Sequence, residues 1–373
     1  MKHTLAFLLL FLLSLSASLR SNAQAGNPPA ADQPRVVNAK VETRALQGPL
    51  ESGFRALVSR AAGPVWIGYS VAEVAGDQTV CCGDFMNDDS SFRCGRCRLE
   101  GRNDEGVSMN SNDRQRVELE GSSRVSILFR AQDSAVERIR VVSENCELDV
   151  GGLPLIWLTG VRPAESVALL AGYVTGTTTE GREAERRMHG AMAAIALHAD
   201  PSADRALEGF TASSRPEQLR KQAAFWLGEA RGKAGLAVLK TMAHSDPSDN
   251  VRAHVSFAMS VSREAGALEE MIRMAREDSS AHVRGQALFW LAQKAGKKAA
   301  STITDAIEND PNTEVKKKAV FALSQLPKDD GVPKLIEVAR NNRNPAVRKQ
   351  AMFWLGQSND PRALAFFEEV LSH

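Results

Sequence analysis

A chain of 373 residues, 43% hydrophobic and 24% charged, carries enough apolar material for two or three domains with cores of their own. Its 46 Lys and Arg against 45 Asp and Glu leave a formal charge of +1, which excludes a general nucleic-acid binder built on a strong basic excess. Beyond residue 25 no stretch is apolar enough to span a bilayer, so no stable membrane insertion of the mature chain is expected.

Residues 1–25 read as a signal peptide. Lys2 and His3 form a short basic region, Leu5 to Leu15 is almost wholly apolar, and Ala23-Gln24-Ala25 supplies the small-x-small cleavage pattern. The apolar run falls short of the roughly 20 residues a spanning helix needs, which favours cleavage over an uncleaved anchor. Removing Lys2 and Arg20 leaves 44 basic against 45 acidic residues, or −1, in a chain expected in the periplasm or outside the cell. Residues 26–34, rich in Pro, Ala and Gly, form a flexible leader.

Residues 35–150 have the texture of a small β-rich domain. Val65 to Val71, Val125 to Phe129 and Val136 to Val142 are short and rich in β-branched residues, Glu51 to Arg60 suits one short helix, and Gly101 to Asp113 is loop-like. Residues 151–180 read as a connecting helix and linker, with Pro163 and Glu165 opening a helix that runs to Val174.

From 181 to 373 the chain repeats. Leu219-Arg220, Val251-Arg252, Val283-Arg284, Val315-Lys316 and Val347-Arg348 follow one another at a single constant interval, without a gap. Four positions on stand Ala223, Val255, Ala287, Ala319 and Ala351, and eight on stand Leu227, Met259, Leu291, Leu323 and Leu355. Offsets of zero, four and eight share one face of an α-helix. A second helix repeats as Leu239, Met271, Ile303, Leu335 and Phe367, with Met242, Met274, Ala306, Val338 and Val370 next on the same face. Ser214 to Glu217 has capping-box spacing, and Asn344-Pro345 suits an N-cap followed by proline. Extrapolation to Arg187, Ala191 and Ile195 adds a degenerate first repeat, making about six helix pairs. The fold class is therefore α+β: a C-terminal α-α superhelix with a smaller N-terminal β-rich domain.

This Val-Arg-x-x-Ala-x-x-x-Leu pattern resembles the HEAT-like repeats described in phycobilisome lyases, over about half the chain. The resemblance implies architecture more than activity, because such repeats serve bilin-attaching lyases, di-iron hydroxylases and plain scaffolds. The hydroxylases hold metal on His-Glu pairs, whereas His189, His198, His244, His254 and His282 here precede Gly, Ala, Ser, Val and Val. An exported chain is also misplaced for a cytoplasmic antenna lyase. Both departures point to the non-catalytic scaffold branch.

Several features carry more than one reading. Arg220, Arg252, Arg284, Lys316 and Arg348 form a basic ladder, or pair with Asp246, Asp278, Asp310 and Asn342 at the joint preceding each repeat; the structural role is favoured. Phe225, Phe257, Phe289, Phe321 and Phe353, at offset six, lie off the buried face and are candidate binding residues, or pack on the neighbouring repeat. Trp226, Trp290 and Trp354 alternate with Ala258 and Ala322, which suits packing between repeats and sets the expected cost of Trp290→Ala at about 3–5 kcal/mol. Cys81, Cys82, Cys94, Cys97 and Cys146 are disulfide candidates in an exported chain; Cys94-Gly-Arg-Cys97 also has zinc-knuckle spacing, and a redox pair is a third reading. Apart from that possible structural zinc no cofactor is expected. No Gly-x-Ser-x-Gly, His-Glu-x-x-His or phosphate-cradling loop occurs, and Gly68-Tyr69-Ser70 has no evident partner in sequence. The expectation is a non-enzymatic scaffold that binds a protein or peptide partner, with a Cys-based metal or redox enzyme as the alternative.

Overall fold

The computed structural model describes residues 34–75, 96–100, 123–144, 146–176 and 181–372. The expected signal peptide, the leader up to residue 33, the loop at 101–113 and cysteines 81, 82 and 94 lie outside them. The N-terminal part holds strands β1 (Val36–Val37), β2 (Val41–Ala45), β3 (Val65–Ala72), β4 (Arg96–Arg98), β5 (Arg124–Gln132), β6 (Ala135–Ser143), β7 (Glu147–Asp149) and β8 (Leu155–Thr159), with helix α1 (Leu50–Ser59) between β2 and β3. Five strands form one mixed sheet in the order β2-β8-β3-β5-β6, and β1-β7-β4 form a small parallel one. β5 and β6 make an antiparallel hairpin whose turn residues Asp133 and Ser134 both take positive φ, the geometry a two-residue hairpin needs.

The sheet extends beyond the expected boundary at 150. β8 lies in the segment read as a connector, yet it pairs in parallel with both β2 and β3. Leu155-Ile156-Trp157-Leu158 is a short apolar run between Pro154 and Gly160, a pattern that a buried strand and a helix segment share. Tertiary pairing decides between them.

Helix α2 (Pro163–Thr175) follows, then six antiparallel helix pairs: α3 (Arg182–Leu197) and α4 (Ser202–Phe210); α5 (Glu217–Ala230) and α6 (Gly232–Ser245); α7 (Asp249–Val261) and α8 (Gly266–Glu277); α9 (Ala281–Ala295) and α10 (Ala300–Asn309); α11 (Thr313–Ser324) and α12 (Lys328–Asn341); α13 (Pro345–Gln357) and α14 (Pro361–Ser372). The offset columns form the core: every residue at offsets zero, four and eight of α5, α7, α9, α11 and α13 is buried. Asn344 caps α13 by accepting from Ala346 N at 3.0 Å. Ser214 does not cap α5. That helix starts after Pro216, which has no side-chain acceptor to offer.

Sheet and solenoid share one continuous apolar core, running from Leu50 in α1 to Phe366 in α14. α3 lies directly on β6. A β-carbon at Gly190 would stand 2.2 Å from the carbonyl oxygen of Ile139, so only glycine permits this approach. The strand β3 also runs on into the solenoid: Val74 N donates to Leu197 O at 2.8 Å and Ala199 N to Ala72 O at 2.9 Å.

Candidate functional site

The recurrent arginines are structural ties, and their carboxylate partners are not at the preceding joints. Arg220 grips Asp246 through Nε and Nη2 at 2.8 and 3.0 Å, Arg252 grips Asp278 at 2.9 and 3.0 Å, and Arg284 grips Asp310 at 2.8 and 3.0 Å. Each carboxylate belongs to the joint that follows its arginine, because the second helix runs antiparallel and returns that joint to the start of the first. The remaining nitrogen, Nη1, reaches back to a carbonyl of the preceding joint, Asp246 O from Arg252 and Asp278 O from Arg284. One guanidinium thus fastens two joints, which its fork of donors allows.

The same aspartates turn the chain into the next helix, accepting from Ser248 N, Ser280 N and Asn312 N. Burial by itself would raise the Asp278 carboxyl, but the Arg252 guanidinium and Ser280 N–H hold it below its ordinary value. Where the repeat has Lys316, the partner position holds neutral Asn342, which donates instead to Glu308 at 3.0 Å while Lys316 reaches Glu308 O. Arg348 keeps the backward contacts, to Asn342 O and Arg343 O.

The phenylalanine stripe and the tryptophans form one run of eight rings. Trp226 meets Phe225, which stacks on Phe257 at 5.9 Å; Phe257 meets Trp290 at 4.7 Å, and Trp290 meets Phe289. Phe289 stacks on Phe321 at 5.6 Å, Phe321 meets Trp354, and Trp354 meets Phe353. Phe225, Phe257, Phe289 and Phe321 are half-buried against the neighbouring repeat, whereas Phe353 is 54% exposed. Each ring of the stripe therefore packs on a neighbouring ring while part of its surface stays accessible. Trp226, Ala258 and Ala322 are buried, and Trp290 and Trp354 only half so. Beside the run, burial pushes His254 down to about 4, leaving a neutral imidazole edge-on to Phe257.

Tyr69 does have a partner. Its hydroxyl lies 2.7 Å from Ser166 Oγ in α2, and Ser166 Oγ lies 2.9 Å from Nε2 of His198 at the end of α3. Nδ1 of His198 is 2.6 Å from Ala194 O, an acceptor, which assigns the proton to Nδ1 and makes Nε2 accept from Ser166. Burial pushes His198 down to about 4 and keeps it neutral. The spacing resembles a nucleophile and its base, but all three residues are fully buried, so the chain of hydroxyls and imidazole seams the sheet to the solenoid. No sequence signal links residues 69, 166 and 198. Glu73 sits beside this seam, joined to His198 by a β-bridge, and burial pushes its carboxyl up to about 8.

Cys97 is buried in β4, and Cys146 is a buried thiol pushed up to about 11 by that burial. Among the described residues no three His, Cys, Asp or Glu side chains converge as a metal site, and no helix is long and apolar enough to cross a membrane.

The HEAT-repeat family model matches residues 203–292 and 300–373. Residues 203–292 and 300–373 are built of HEAT repeats. No curated protein matches it. Among solved structures, human deoxyhypusine hydroxylase in complex with glycerol is similar at 14% identity and a TM-score of 0.30, over 56% of this chain and 90% of that one. The CpcE–CpcF complex of phycocyanin lyase from Nostoc sp. PCC7120 is similar at 22% identity and 0.32, over 42% and 99%. Kap95p, in a complex with RanGDP, is similar at 18% identity and 0.36, over 57% and 32%. The HEAT assignment itself rests on the family match and on the buried columns that recur from repeat to repeat.

Proposed function

We propose that this HEAT-like protein is an exported scaffold that binds a protein or peptide partner along its solenoid, without catalysing a reaction of its own. One observation carries the reading: the run of eight stacked rings, which presents partly exposed phenylalanine edges at the same position in five successive repeats. Solenoids use such extended repeated faces for recognition, and aromatic edges give contact area at small entropic cost. Photo-crosslinking from Phe289 and Phe353 in the full chain, in its native compartment, tests it. The expected result is one recurrent protein adduct, competed away by unlabelled chain; adducts spread over many proteins without competition would refute the reading.

The alternative, a Cys-based metal or redox enzyme, has its motive in the cysteines around Cys97. Cys97 lies fully buried in β4, which supports a structural role over a reactive thiol. Native and reduced intact mass, with zinc measured in the same sample, separates the two and also tests cleavage before Gly26. Thiols holding one zinc would move the search to the N-terminal part.

A further inference from the structure

Twice in the solenoid, a pair of carbonyls at the end of a first helix receives a cation from the next repeat. At the end of α3, Ala196 O and His198 O accept from Nη1 of Arg231 at 3.0 and 2.6 Å. At the end of α7, two repeats on, Ser260 O and Ser262 O accept from Nζ of Lys294 at 3.0 and 2.5 Å. Helix C-termini leave such carbonyls without intrahelical donors and carry partial negative charge, so a cation is the natural partner.

Two repeats further still, the corresponding carbonyls are those of Ser324 and Leu326, at the end of α11. The places of Arg231 and Lys294 are taken by Ser358 and Asn359, and neither supplies a cation. Ser358 Oγ turns back to Leu355 O, and among the described residues neither Ser324 O nor Leu326 O accepts a hydrogen bond. A cleft of about 230 Å³ opens there; the apolar residues Leu326, Val332, Leu335 and Trp354 line it together with polar ones that include Ser324, Gln357 and Ser358. Leu326 O lies 3.5 Å from where a β-carbon on Gly331, another lining residue, would stand. Lys328 also lines the cleft, but it is exposed and its charge acts on Asp360.

We infer that this cleft is a socket for a lysine side chain of a protein partner, whose ammonium takes the place Lys294 fills two repeats earlier. The methylene stem runs past Trp354 and Leu326, and the ammonium donates to Ser324 O and Leu326 O. The inference extends the binding-module reading by naming what one part of the partner presents. It is tested with a small amine on the protein alone, so its failure leaves the protein-binding reading to its own crosslinking experiment.

The full chain is labelled with 5-fluorotryptophan, and the ¹⁹F resonance of Trp354, assigned by Trp354→Phe, is followed during titration with n-butylammonium. The expected result is a saturable shift with Kd on the order of 1 mM, absent with sodium butyrate. Ser358→Lys, which restores the internal cation, weakens it about tenfold or more. Lys294→Ser, which empties the earlier site, gives Trp290 the same response. No response of the wild type, an unchanged response in Ser358→Lys, or a shift by butyrate instead of the amine would each overturn the socket. An acetyl-lysine-methylamide probe (free ε-amine) binding at least as tightly as spermidine supports a protein side chain as the source; spermidine binding far more tightly would overturn that source.

Discussion

Replacing Arg284 by Ala is expected to be among the most damaging single changes in the solenoid. The guanidinium and the Asp310 carboxylate are 10% and 6% exposed, and bonds of 2.8 and 3.0 Å join them. Among the described residues, removing the cation leaves a buried charge with Asn312 N as its one donor, and strips Asp278 O of its partner. Breaking a buried pair on one side costs about 3–5 kcal/mol. Asp310→Ala is expected to cost somewhat less, about 2–4 kcal/mol, because the orphaned guanidinium keeps its carbonyl contacts. If the pair acts as a unit, the double Ala variant costs about 2–3 kcal/mol less than the sum of the singles. The protein supplies a precedent, since Lys316 and Asn342 fill the same positions without an ion pair between them. Arg284→Lys with Asp310→Asn is therefore expected to stay within about 2 kcal/mol of the parent. Urea unfolding of the full chain followed by tryptophan emission reads these values, taken from the first transition because solenoids can unfold segment by segment. A loss under about 1 kcal/mol for Arg284→Ala, or strict additivity in the cycle, would refute the reasoning.

Trp290→Ala is expected to cost about 2–3 kcal/mol, below the value expected for a buried ring, because Trp290 is only half-buried while touching Phe257 and Phe289; an unchanged melting temperature would show the ring to be structurally idle. Gly190→Ala should cost about 2–4 kcal/mol, as α3 must lift from the Ile139 carbonyl, and hydrogen exchange in β6 should rise with it. For Glu73 the folded pKa, about 8, lies above the ordinary value of 4.5, so its contribution is intact below pH 4.5 and is lost as pH rises towards 8. Glu73→Gln should therefore stabilise the protein at pH 8.5 by on the order of 2 kcal/mol and scarcely at pH 4.5; an equal effect at both would show that Glu73 titrates normally.

The repeat was legible because each unit solves the same packing problem with the same length of chain. Val283, Ala287 and Leu291 bury themselves against an adjacent repeat built to the same rule, so one-dimensional spacing carries the three-dimensional contact. The aromatic stripe was visible for the same reason, although only the structure shows its rings forming one run. The return of the antiparallel helix, not the order of residues, moved the partners of Arg220, Arg252 and Arg284 from the preceding joint to the following one. Nor does spacing join Tyr69, Ser166 and His198, or place β8 between β2 and β3, since these contacts bridge long separations with no period. The cation-less carbonyls of Ser324 and Leu326 fall between: the sequence records Lys294 giving way to Ser358, but only the fold shows what that lysine was holding. Local periodicity determined the solenoid; contacts between segments far apart in the chain, which have no repeating signature, were decided by tertiary structure alone.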